Sequence, residues 1–194
     1  RTNLASPATF FSAAKTMELM NADPKAVLAV MDSCVAHCPQ PISADNAPYV
    51  LERAQMNMNA GEYRSAMLDY DTYFKAVDGQ VNDVFYYYRE QAEFKARQYQ
   101  RALDDIAKAI ELNPKELTYR AEQAVINLRV GRYEEALKVL DEVLAIDPKY
   151  AEAYRLKGIC LIQLKKQEEA CANFAKAKEL GDANVDELIK KHCK

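Results

Sequence analysis

Between Tyr99 and Pro114, apolar side chains fall at Tyr99, Ala102, Leu103, Ile106, Ala109 and Ile110, with polar residues filling the places between them. That spacing follows one face of a 3.6-residue turn and predicts a helix with a single buried stripe. The phrase returns as YEEALKVLDEVLAIDP at 133–148 and as QEEACANFAKAKELGD at 167–182, so that Tyr99, Tyr133 and Gln167 open three evenly spaced copies. Asn113-Pro114, Asp147-Pro148 and Leu180-Gly181 end the three copies, as helix-stopping residues should. A helical hairpin recurring at a fixed period predicts a repeat architecture whose core is a seam between stacked layers.

The same pattern weakens towards the start. Residues 47–82 pair a helix around Val50–Asn59 with YRSAMLDYDTYFKAVD at 63–78; Gly61 lies between them, and Tyr70 and Tyr73 stand where Ile106 and Ala109 stand later. Residues 1–46 form the most degenerate copy. A first helix is expected over Pro7–Met20, and a second opens with Asp23 as N-cap and Pro24 at the first helical position. The expected organisation is a degenerate hairpin at 1–46, an array at 47–184 (47–82, 83–116, 117–150, 151–184), and a capping helix and tail at 185–194. In that last helix Asp186, Glu187, Lys190 and Lys191 alternate with Val185, Leu188 and Ile189, the polar outer face that a terminal cap needs.

Charge and composition narrow the function. A net charge of −3, with no basic stripe, gives no reason to expect nucleic acid, and no apolar run reaches membrane-spanning length. His37 and His192 lie far apart, and no glycine-rich phosphate loop, HExxH or GxSxG occurs, so an enzyme and a cofactor are not expected. Cys34, His37 and Cys38 are the best metal candidates, but their spacing matches no zinc signature. Cys34 takes the place of Ala109, so it reads as a buried thiol and no metal is expected. Five cysteines without framework spacing argue against a disulfide scaffold; Cys160 and Cys171, on two helices of one hairpin, are expected as packed free thiols. The start RTNLASPATFF has no leader pattern and no initiator Met. It fits an exported bacterial protein whose leader has been removed, with a cytoplasmic fragment as the alternative.

On these residues the chain resembles the tetratricopeptide repeat family. The resemblance rests on Tyr86, Tyr99, Ala102, Ile106, Ala109 and Pro114 in one repeat, and on Ala124, Gly131, Tyr133, Ala136, Leu140, Val143 and Pro148 in the next. Tyr154, Gly158, Leu161, Ala170, Phe174 and Ala177 continue it. It implies an all-α, right-handed superhelix (solenoid) of about five hairpins plus a C-terminal capping helix. Gly158 and Ala124 would let first helices approach second helices at Ala170 and Ala136. Arg89, Glu90 and Glu93 depart from the pattern, implying a buried polar network or an altered contact.

The family binds extended peptides or partner helices on a concave groove lined by first helices. By register, that groove implies Leu51, Gln55 and Met58, then Tyr87, Gln91 and Phe94, then Val125 and Arg129, and finally Arg155. Tyr87 and Phe94 would anchor an apolar segment, Gln91 would read its backbone and Arg129 would meet a carboxylate. The lysine and asparagine positions by which chaperone-binding members clamp a C-terminal carboxylate hold Leu51/Gln55, Tyr87/Gln91 and Ala121/Val125 here, so that clamp is absent. The expected role is a non-enzymatic scaffold for a protein or peptide partner. The alternative is a structural module that self-associates as a homo-oligomer or docks in a larger, cell-envelope assembly.

Overall fold

A computed structural model of the chain describes residues 6–193. The reading of residues 1–5 as free of a leader pattern lies outside them. Eleven helices follow one another among the described residues: α1 (Pro7–Leu19), α2 (Pro24–Ala36), α3 (Ala47–Asn59), α4 (Tyr63–Ala76), α5 (Asp83–Lys95), α6 (Tyr99–Leu112), α7 (Leu117–Arg129), α8 (Tyr133–Ile146), α9 (Ala151–Gln163), α10 (Gln167–Glu179) and α11 (Asp186–His192). They form two compact bodies, one ending at Gln98 and the other beginning at Tyr99.

One turn ends the first helix of unit after unit. Asn21, Gly61, Arg97, Gly131 and Lys165 all have positive φ. The steps from Arg97 to Gly131 and from Gly131 to Lys165 are equal, and the two earlier steps grow longer towards the N-terminus. Each of these residues is followed by a backbone N–H that reaches back into the last helical turn, as from Glu62 to Asn57 O (2.8 Å), Arg132 to Asn127 O (2.9 Å) and Lys166 to Leu161 O (2.9 Å). This closure satisfies carbonyls that a helix end otherwise leaves without partners. Glycine adopts the conformation freely, whereas Arg97 and Lys165 adopt it against a steric cost of about 1 kcal/mol. The lengthening steps are the repeat's degeneracy, stated in backbone.

In the first body, Ser6 caps α1 by accepting the Thr9 N–H at 3.2 Å, and Pro24 opens α2 as expected. Ala14, Val27, Met31 and Cys34 close on one another with Met56 of α3. A second cluster of Val35, Cys38, Ile42 and Val50 draws the long 39–48 loop inward through Ile42. A third joins Ala54 of α3, Ala66 and Tyr70 of α4, and Ala92 of α5. Of the Phe85–Tyr88 run, Phe85 packs on Tyr73 and Tyr86 meets Phe74 edge-on, while Tyr88 reaches solvent.

The second body packs through small residues. Ala124, Ala136, Leu140 and Val143 meet Ala153, Leu156 and Cys160. One hairpin on, Ala170, Phe174 and Ala177 meet Leu161 and Val185. A Cβ built on Gly158 would stand 2.3 Å from Phe174 Cε1, so this crossing requires glycine. Burial of a ring such as Phe174 contributes about 1.5–3 kcal/mol.

Candidate protein-binding face

On α3, Leu51, Gln55 and Met58 lie at helical spacing and share a face. Leu51 and Met58 are half-buried against the cluster of Ala54, Ala66, Tyr70 and Ala92, while Gln55 is exposed and donates to Asn59 Oδ1 at 3.3 Å. On α5, Tyr87, Gln91 and Phe94 repeat that spacing and are all half-buried. Six of the expected groove residues therefore belong to the first body, where they present apolar edges with glutamine amides between them.

Three belong to the second body. Val125 of α7 is half-buried on the Ala136/Leu140/Val143 cluster, and Arg129 is exposed in the last turn of α7. Arg155 of α9 is engaged within the fold. Its Nε donates to Asp182 Oδ2 and its Nη2 to Glu152 Oε1, each at 2.7 Å. Asp182 also accepts the Asn184 N–H at 2.8 Å, so Arg155 ties α9 to the segment leading into α11.

The departures at 89–93 are buried polar residues, with Arg89 Nε 3.9 Å from Glu93 Oε1. Glu90 and Glu93 are 1% and 0% exposed, and the Arg89 guanidinium lies 3.8 Å from the Phe74 ring centre and 3.1 Å from Asp71 Oδ1. A hydrogen-bonded network around Asp69 is not visible in the sequence pattern. Arg53 Nε donates to Asp69 Oδ2 at 3.0 Å, Asn57 Nδ2 donates to the same oxygen at 2.9 Å, and Asp32 Oδ1 accepts from Arg53 at 3.3 Å. Burial pushes the Asp69 carboxyl above its usual range, while Arg53 and Asn57 pull it down. Periodicity does not reveal this set, because Asp32 and Asp69 sit on α2 and α4, on either side of the α3 that carries Arg53 and Asn57. Polar residues on otherwise apolar faces are the one sequence signal.

Cys34, His37 and Cys38 do not converge on an ion. The Cys34 Sγ lies 3.1 Å from Pro7 O and the Cys38 Sγ 3.4 Å from Cys34 O, whereas His37 is exposed and packs on Phe10 with its Nδ1 2.7 Å from Ser33 O. Burial pushes the Cys34 thiol up to about 11, away from the thiolate that a metal needs. Among the described residues, no group of three or more His, Cys, Asp or Glu side chains is placed to hold a metal. No described helix is long and apolar enough to cross a membrane.

The cysteine reading needs one correction. Cys160 is a buried free thiol as expected, but Cys171 is not free: it is bonded to Cys193 at the end of α11. The short α11 folds back on α10 and brings their Cα atoms to 5.6 Å, a separation that a disulfide spans. Cys160 occupies the crossing of α9 with α8 instead.

Stacked antiparallel helical hairpins with one repeated turn define an all-α repeat protein. Two tetratricopeptide-repeat family models match, one over residues 91–151 and the other over 127–181, so residues 91–181 carry tetratricopeptide repeats. Small glutamine-rich tetratricopeptide repeat-containing protein 2 of Mycosarcoma maydis is 31% identical over 96 residues, which are 50% of this chain and 27% of that relative. The chain thus corresponds to about a quarter of that protein's length. Among solved structures, YrrB, "a TPR protein with an unusual peptide-binding site", superposes with a TM-score of 0.72 at 20% identity, covering 97% of this chain and 94% of that one. The first TPR of Spaghetti (RPAP3), bound to the HSP90 peptide SRMEEVD, superposes with a TM-score of 0.53 at 20% identity over 57% of this chain and 89% of its own. At these identities the likeness shows the fold.

Proposed function

We propose that the chain is a non-enzymatic protein-interaction module that holds an extended peptide or partner helix against its first helices. The observation that carries this reading is the half-buried row Leu51, Met58, Tyr87 and Phe94, with the amides of Gln55 and Gln91 set along it. Apolar edges give area to a bound segment, and glutamine amides donate to and accept from its backbone. The peptide-binding site named with YrrB and the HSP90 peptide named with Spaghetti support the same reading by fold. On the second body Val125 and Arg129 hold the corresponding places, with Arg129 as the partner for an acidic group. Arg155 contributes through the position it gives to Asp182.

The test is to select peptides from a random library against the chain, then measure their affinity for Leu51→Asp and for Gln91→Ala. Both variants must first match the parent in circular dichroism and thermal unfolding. We expect peptides rich in apolar residues, with binding lost in Leu51→Asp and weakened in Gln91→Ala. Peptides that bind both variants as they bind the parent would remove the site from α3 and α5. A chain that selects none and instead grows in size with concentration would favour self-association.

A further inference from the structure

Helix α11 takes the seat on α10 that α9 takes on α8. It begins at Asp186, just past Val185, the position that the repeat period pairs with Ala151 at the start of α9. The seat that α9 fills on α8 is made by Ala136, Leu140 and Val143. Their counterparts one repeat on, Ala170, Phe174 and Ala177, are covered by Val185 together with Leu188 and Ile189. But α9 has 13 residues and pairs with α10, whereas α11 has only 7. Two helical turns do not hold themselves together in water. Val185, just ahead of the helix, is fully buried, but Leu188 and Ile189 are only half-buried.

What holds the far end of α11 is concentrated at one point. Cys193 is bonded to Cys171, and Gln167 Nε2 donates to His192 O at 2.6 Å. The opposite end has the exposed ion pair of Lys178 with Asp186 at 2.8 Å, which counts for little in water. Neither bonded cysteine is sealed in the core; both are half-buried.

We propose that the Cys171–Cys193 disulfide is a reducible latch that keeps α11 over an apolar seat formed by Leu161, Ala170, Phe174 and Ala177. A dithiol reductant opens it by ordinary exchange. One thiolate attacks a sulfur of the disulfide, and the other cysteine leaves as a thiolate and takes up a proton. The second reductant thiol then displaces the mixed disulfide, leaving Cys171 and Cys193 as thiols and the reductant oxidised by two electrons. Once unlatched, α11 leaves and the seat accepts an amphipathic helix with apolar residues at α11's own spacing, i, i+3 and i+4.

The test is amide hydrogen exchange on the whole chain, oxidised and then reduced with dithiothreitol, with the Cys171→Ser/Cys193→Ser variant alongside. We expect exchange over residues 186–192 to rise about a hundredfold in the reduced chain and in the variant, the scale set by removing a cross-link of this length, while α9 and α10 stay protected. A labelled peptide of residues 183–193 carrying Cys193→Ser should bind the reduced chain and not the oxidised one. Equal protection of α11 in both states would overturn the latch. Loss of protection in α9 and α10 together with α11 would make the bond a staple of the whole hairpin, which also overturns it. Peptide binding that does not differ between the two states would remove the seat.

Discussion

The two bodies answer one problem, how to bring helices close, with different chemistry. After Tyr99 the crossings are made by small residues: Gly158 lies under Phe174, and Ala124, Ala136, Ala153 and Ala170 are 1% exposed or less. Before Gln98, Ala54, Ala66 and Ala92 are buried as deeply, but large rings and charges are packed in beside them, with Tyr70, Glu90 and Glu93 each 1% exposed or less and Asp69 at 4%. Where small residues meet aliphatic ones, as at Ala136, Leu140 and Ala153, little has to be matched and each hairpin can copy the last. Rings and ion pairs must be matched individually to their neighbours, so the first body could not follow the repeat template closely. The lesson is that repeat regularity reflects how the crossings are filled, more than how many helices there are.

That contrast can be broken from either side. The largest effect should come from Phe174→Ala, which empties the ring's place over Gly158 at a cost of about 3–5 kcal/mol. A lowered urea midpoint, with exchange of α9 and α10 amides rising most, is the readout. Next, Asp69→Ala takes from Asn57 its partner and leaves Arg53 only Asp32, at a cost of about 1.5–3 kcal/mol. Adding Arg53→Leu to that variant should recover part of the loss, because an apolar replacement no longer needs a charged partner. No recovery in the double variant would show that the pair is more than an ion pair in a packed seam.

Gly158→Ala should follow, since a methyl group 2.3 Å from Phe174 forces a shift. Overpacking costs about 1–3 kcal/mol, against which alanine's helix preference returns up to about 1. A variant as stable as the parent would mean that α9 and α10 can part without penalty. The smallest effect compares one buried thiol in each body. Burial pushes both Cys34 and Cys160 from an ordinary 9.0 to about 11. Because the folded value is the higher one, their contribution is whole below pH 9 and is lost as pH rises from 9 through 11. Cys34→Ala and Cys160→Ala should each flatten the fall in unfolding midpoint over that window.

Much of this fold is legible in the sequence, for physical reasons. The stripe from Tyr99 to Ile110 locates α6, and Pro24 and Gly61 fix a helix start and a turn because few backbones suit proline's φ or glycine's freedom. Even the degenerate first hairpin can be read from Pro7 and Asp23-Pro24. The candidate face is legible as a row of positions but not as a set of contacts. Arg155 stands at a first-helix position like Tyr87, yet Asp182 lies 27 residues downstream and meets it only through the fold. Cys171 and Cys193 are 22 residues apart, with a turn and a short helix between, and nothing in their spacing indicates that α11 folds back. Asp69 and Arg53 likewise find each other through packing.

The turn that recurs at Gly61, Arg97, Gly131 and Lys165 bears on how such a protein can change. At two of these positions the chain tolerates a conformation that its side chain disfavours, although the neighbouring copies show glycine in the same turn. Selection removes what falls below a working threshold and leaves such positions unimproved. Arg97→Gly and Lys165→Gly would therefore raise the margin of safety without altering a core contact or the face of α3, α5 or α7. On the proposed binding face, a lineage carrying both could sample riskier residues at Leu51, Gln55 or Arg129 and still fold, so the room for change there is set in part at turns that touch none of them.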